Sequence, residues 1–109
     1  MANQKLIKVV TDFYPRPKWR YRKEGDGSGQ AFREDQLVPA LMSFDSVVVD
    51  LTGYNRYGPS FISEAFGGLL RTTNIKLSDL REKLTIKHEV LPSIVQVCWK
   101  EMEKASRER

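Results

Sequence analysis

The sequence predicts an α/β domain, a mixed sheet of about four strands packed against helices. Three observations carry that expectation. Val47-Val48-Val49 is an uninterrupted β-branched run, the kind that fills a central strand covered on both faces. Residues 59–71 divide on a helical wheel into one apolar half and one polar half. Leu91, Ile94, Val95, Cys98, Trp99 and Met102 recur at helical spacing near the C-terminus.

The elements follow in order along the chain. Leu6 to Val10 is a short β-rich run and reads as a first strand. Tyr14-Pro15-Arg16-Pro17 then forces an extended or turning path, because each proline restricts the residue before it. From Lys18 to Lys23 basic and aromatic residues alternate. That spacing predicts a second strand with Trp19 and Tyr21 on one face and Lys18, Arg20 and Arg22 on the other. Gly25–Gly29 is a loop, with Ser28 as the N-cap of a helix from about Gln30. Leu37, Leu41 and Phe44 share a face of that helix, and Pro39 must kink it or start a new one. Asp45 to Leu51 is the central strand. A loop from Thr52 to Gly58 leads into a helix from about Pro59 to Thr72. Ser78 or Asp79 caps a further turn through Leu84, Thr85 to Lys87 is an edge strand, and Leu91 to about Ser106 closes the chain as a helix.

Length and composition bound the function. With 109 residues the chain has room for a single domain, 1–109. Forty per cent hydrophobic and 29% charged is the balance of a water-soluble globule, so a cytoplasmic location is expected. No apolar run approaches the roughly 20 residues that span a bilayer, and Met1 to Lys8 lacks the apolar stretch of a signal peptide. Cys98 has no partner cysteine, which rules out an internal disulfide and reads as a small buried hydrophobe. One histidine and one cysteine do not make a common zinc site. His88 reads as a surface residue at a strand end, and Asp50 has no second acid near it in sequence. The expectation is a protein without catalytic activity or cofactor.

The predicted helix at 59–71 carries the most information. Phe61, Ile62, Ala65, Phe66, Leu69 and Leu70 form its apolar half, while Ser60, Ser63, Glu64, Gly67, Gly68 and Arg71 form the other. A glycine weakens a helix by roughly 1 kcal/mol relative to alanine. Two of them on a polar face therefore signal a close neighbour, either another segment of this chain or an external partner. Gly58 caps the helix and Pro59 suits its first turn. Ser60 then stands beside unbonded N–H groups, where an anion, including a phosphate on Ser60 itself, is stabilised.

These residues resemble a known family. Asp50-Leu51, Tyr57-Gly58-Pro59-Ser60-Phe61 and Glu64-Ala65-Phe66-Gly67-Gly68-Leu69 are similar to the bacterial STAS-like domain of unknown function. Arg20-Tyr21-Arg22, Gly25, Ser28-Gly29 and Phe32-Arg33-Glu34 resemble the same family's other motif. The resemblance implies a fold like that of anti-sigma-factor antagonists. In those relatives a serine at the start of the helix after a central strand is phosphorylated by a partner kinase, and the matching position is Ser60. It also implies a histidine-kinase-type ATPase as partner. Antagonists carry Asp-Ser-Ser at this turn, where the present chain has Gly58-Pro59-Ser60.

The leading functional expectation is a regulatory protein-interaction module, with a partner docking on Tyr57, Gly58, Ser60, Glu64, Gly67, Gly68 and Arg71. A second reading is an anion or nucleotide site, in which amides of the Gly25–Gly29 loop cradle a phosphate. Arg20, Arg22 and Arg33 then supply charge, with Ser28 at the helix start. The loop lacks the Gly-Lys-Ser/Thr ending of a P-loop. A third reading has Trp19 and Tyr21 stacking on single-stranded nucleic acid beside Arg20 and Arg22. A net charge of only +4 leaves that footprint small.

Overall fold

Among the described residues, three parallel strands form the sheet in the order β1-β2-β3. They are β1 Gln4–Lys8, β2 Ser46–Asp50 and β3 Leu84–Lys87. The computed structural model describes residues 3–109. The predicted β1, central β2 and edge β3 are present, although Val9 and Val10 leave β1 in a wide turn, Val9–Phe13. The register sets Ile7, Val49 and Ile86 in one row and Lys5, Val47 and Leu84 in another. Ile7, Val47, Val49, Leu84 and Ile86 are all buried.

Three expectations are corrected here. Among the described residues the sheet has three strands rather than about four, and it is parallel rather than mixed. The segment from Lys18 to Lys23 is not a strand. It runs extended beside the glycine loop, with Lys18 N–H donating to Gly27 O at 3.0 Å, and then closes a tight turn, Arg22–Glu24. Period-two alternation suits a strand only where a neighbour offers a ladder, and here the segment's partners are a loop and a helix start. Nor is β2 covered on both faces. Leu6, Val48 and Thr85 form a row on the opposite side, where Leu6 is 44% exposed and Thr85 is exposed. Apart from Asp50 at the end of β2, the buried strand residues lie on the side where the helices pack.

Among the described residues, four helices cover that side. The first, α1, runs continuously through 29–43. Ser28 caps it as expected, its Oγ accepting from Ala31 N–H at 3.0 Å. Pro39 does not restart the helix. The turn Arg33–Leu37 is widened, so that Val38 N–H reaches back five residues to Arg33 O and the backbone passes the proline. The second, α2, runs through 59–72 and repeats the device over Ser63–Gly67. Gly58 caps it, its carbonyl accepting from Ile62 N–H at 3.1 Å, with Pro59 in the first turn. Arg109 closes its far end by donating to Leu70 O, Thr73 O and Ile75 O at 2.8, 3.0 and 2.6 Å. The third, α3 (Leu77–Lys83), starts after Lys76, and neither Ser78 nor Asp79 caps it, since both lie inside its first turn. The last is α4, Pro92–Arg107.

The central helix is α2, with α1 on one side and α4 on the other. Phe61, Ile62, Ala65, Phe66, Leu69 and Leu70 are all buried, as the wheel predicts. Phe32 of α1 meets Phe61 and Phe66 at ring-centroid distances of 6.1 and 6.2 Å. Such mutual aromatic contact contributes about 0.5–1.5 kcal/mol per pair beyond the area buried.

Candidate functional site

The loop that follows β2 brings the chain to the carboxyl end of the sheet, where α2 begins. Tyr57 anchors this turn. Its hydroxyl donates to Leu51 O at 2.9 Å, and its ring packs edge-on to Tyr54 with centroids 5.1 Å apart. Burial pushes its phenol well above the usual tyrosine range, so it stays a neutral donor. Only 8% of it is exposed, which places it beneath the turn rather than on its surface. Gly58 has open space where a side chain would project, and Ser60 is exposed in the first turn.

The polar half of α2 is mostly covered by this chain. Glu64 is 8% exposed, and Gly67 and Gly68 are buried. Arg33 of α1, itself 3% exposed, lies directly against Gly68. Its Nη1 donates to Glu64 O and, at 2.8 Å, to Glu64 Oε2. Arg20 reaches the other oxygen of the same carboxylate at 3.5 Å. A side chain at position 68 would displace this guanidinium, so an internal neighbour accounts for Gly68. Gly67 lies under the Arg71 guanidinium, which donates back to Ser63 O at 2.6 Å and Ser63 Oγ at 3.1 Å. The glycines therefore admit two arginines.

The glycine loop before α1 is also filled from within. Gly25 lies against the Trp19 indole, and a β-carbon at Gly27 would lie 2.5 Å from Tyr14. Gly29 abuts α2, with Phe61 O 2.6 Å and Ala65 N 3.0 Å from where a β-carbon would be. Amides at the helix start are occupied as well. Gly29 N–H donates to Trp19 O, Gln30 N–H to Arg20 O and Ala31 N–H to Ser28 Oγ. Arg22 is engaged by Asp35 at 2.5 and 3.0 Å and by Glu34 at 3.0 Å. Asp35 is accordingly held below the usual carboxylate range by Arg22. Arg20, Arg22 and Arg33 thus face carboxylates of the chain, and Arg22 lines a depression with Gly25 and Asp26. Lys18 and Lys23 lie over the rings of Trp19 and Tyr21, at 4.7 and 5.8 Å from the centroids.

A family model described as a STAS-like domain of unknown function matches residues 28–93. The chain belongs to this STAS-like family. The match spans α1, β2, α2, α3 and β3, and begins after Arg20, Tyr21, Arg22 and Gly25. Comparison with curated proteins and with solved structures gives no significant match.

Three chemically reactive groups of this STAS-like domain, His88, Cys98 and Asp50, are buried. His88 is not on the surface, as its position at a strand end suggests, but 6% exposed. Its Nδ1 accepts from Val90 N–H at 3.2 Å and Leu91 N–H at 3.0 Å, which leaves Nε2–H to donate to Tyr54 O at 2.9 Å. The ring thus ties the loop after β3 to the loop after β2. His88→Ala leaves two N–H groups and a carbonyl without this partner, and is expected to cost about 1–3 kcal/mol in urea unfolding. Burial pushes the Cys98 thiol up to about 12, so it is a packing residue. Asp50 ends β2 between Lys8 and Lys87, with Lys87 Nζ at 3.8 Å. Burial raises its carboxyl, but hydrogen bonds from Thr52 and the two lysines outweigh this and hold it below the usual carboxylate range. Among the described residues no helix is long and apolar enough to cross a membrane, and no cluster of three or more His, Cys, Asp or Glu is placed to hold a metal.

Proposed function

We propose that this STAS-like domain is a non-catalytic regulatory module that docks a protein partner at the start of α2. Ser60 is the residue through which that docking is controlled, by phosphorylation from a histidine-kinase-type ATPase in the cytoplasm. The observation that supports this reading is Ser60 itself, exposed in the first turn of a helix that is buried along nearly all its remaining length. A phosphate at this position faces the positive end of the helix dipole, an interaction contributing roughly 0.3–1 kcal/mol at an exposed site. Arg20 on the neighbouring segment and Arg71 on α2 add positive charge to the same side of the helix.

The burial pattern narrows the docking surface. Tyr57, Glu64 and Gly68 face inward and act as its supports, whereas Gly58, Ser60 and the Arg71 guanidinium face outward. Gly67 acts by letting Arg71 lie flat. Incubation with the ATPase is expected to add one phosphoryl group that Ser60→Ala prevents. An unchanged intact mass would count against the phosphoserine. Gly67→Gln is expected to lift Arg71 and weaken partner binding while the circular dichroism spectrum stays native. Normal binding by that variant would remove Arg71 from the docking surface.

A further inference from the structure

At the opposite end of the sheet from Ser60 lies a groove of about 520 Å³ between the end of α1 and helix α3. Leu41, Ile75 and Leu80 form its apolar part, and Met42 on its rim is 75% exposed. Asp45, Asp79 and Glu82 also line it, against one cation, Lys83. Among the described residues none of these three carboxylates forms an ion pair. The groove is therefore apolar and negatively charged in a protein whose net charge is +4.

The complementary surface is on the same chain. Arg16, Lys18 and Lys23 are exposed and, among the described residues, face no carboxylate within ion-pair distance. Between them Trp19 and Tyr21 are 39% and 43% exposed. Three unpaired cations interleaved with two half-exposed aromatic rings match three unpaired carboxylates around an apolar floor. The segment precedes α1 and the groove lies at its far end, so the two are separated by a 15-residue helix, about 22 Å long at 1.5 Å per residue. A folded chain does not reach its own groove, whereas a neighbouring copy does.

We propose that the groove receives the Arg16–Lys23 segment of a second copy of this chain. The contact is heterologous, groove on one copy and segment on the next, so successive copies add head to tail into a filament or close into a ring. Its charged component is screened as salt rises. The assembly leaves Ser60 outside the interface residues, so it stands apart from the phosphorylation reading and neither depends on the other.

Sedimentation velocity of the full chain tests this, at low and high ionic strength and over a concentration series. The expected result is growth beyond dimer with concentration at low salt, reversed at high salt. Two charge-reversed variants decide the geometry, both altered only at exposed residues: Arg16→Glu/Lys18→Glu/Lys23→Glu in the segment, and Asp79→Lys/Glu82→Lys in the groove. Each alone is expected to remain monomeric with a native circular dichroism spectrum. Mixed together they pair the intact groove with the intact segment and the reversed segment with the reversed groove, and are expected to regain head-to-tail growth. A monomeric wild-type chain at low salt and high concentration would overturn the proposal. So would self-association that survives in either variant alone. A wild-type monomer that binds a synthetic 16–23 peptide would also overturn it, assigning the groove to the basic segment of another protein.

Discussion

Glu64→Ala is expected to destabilise the domain by about 3–5 kcal/mol, the cost of leaving one member of a buried ion pair uncompensated. Arg33 is 3% exposed and finds its carboxylate only on Glu64 and, at 3.7 Å, on the exposed Glu34. A small domain has about 5–15 kcal/mol in total, so the variant is expected to unfold at a much lower urea concentration, or to be largely unfolded at 37 °C. Replacing both members together, Arg33→Met with Glu64→Leu, removes the stranded charge and is expected to recover most of the loss. Equilibrium urea unfolding of the two variants checks the pair. A cost below about 1 kcal/mol for Glu64→Ala would show that Arg33 escapes to water when its partner is removed.

Gly29→Ala carries the second large effect. Alanine favours a helix over glycine by about 1 kcal/mol, so propensity alone predicts a gain. The contact predicts the reverse, because the new β-carbon would meet backbone of α2, Phe61 O at 2.6 Å and Ala65 N at 3.0 Å. Backbone atoms in a packed helix do not move aside as a side-chain end does. Forcing the two helices apart is expected to give a net loss of about 1–3 kcal/mol. Gly67→Ala is the control. Its nearest neighbour is the end of Arg71, at 3.0 Å, and an exposed guanidinium can swing away. That variant is expected to stay within about 0.5 kcal/mol of the parent by thermal or urea unfolding. Equal losses at positions 29 and 67 would remove the distinction between backbone and side-chain neighbours.

Local pattern and tertiary partnership explain which features could be read from the sequence. α2 and α4 were legible because their hydrophobic periodicity is the burial itself, and the central strand because its β-branched run suits a strand. Val47 and Val49 are buried on one face, and the apolar half of α2 faces the core. The strand proposed from Lys18 to Lys23 failed because its alternation has another cause. Arg20 and Arg22 reach Glu64 and Asp35, while Trp19 lies against Gly25. Both helical wide turns were invisible, since an i to i−5 hydrogen bond leaves no periodic mark over five residues. At the site, the glycines on α2 correctly signalled a close neighbour, but not which one. The clue lay 35 positions upstream of Gly68, in Arg33, a residue type seldom found fully buried without a partner. Ser28 shows the other case: its cap on Ala31 was readable because both groups lie within three residues.

The near-complete burial of α2 has a consequence for its exposed first turn. From Phe61 to Leu70 only Ser63 is more than slightly accessible, and the helix is flanked by α1 and α4 over the sheet. Segments of this kind open only near the global unfolding limit, so their amides exchange last. The turn bearing Ser60 is thus mounted on one of the stiffest parts of the molecule. A loop-borne serine would have to be immobilised by its partner, at about 0.5–1.5 kcal/mol for each ordered side chain. Here folding has already spent that conformational entropy, so the docking surface proposed above would be pre-organised before contact.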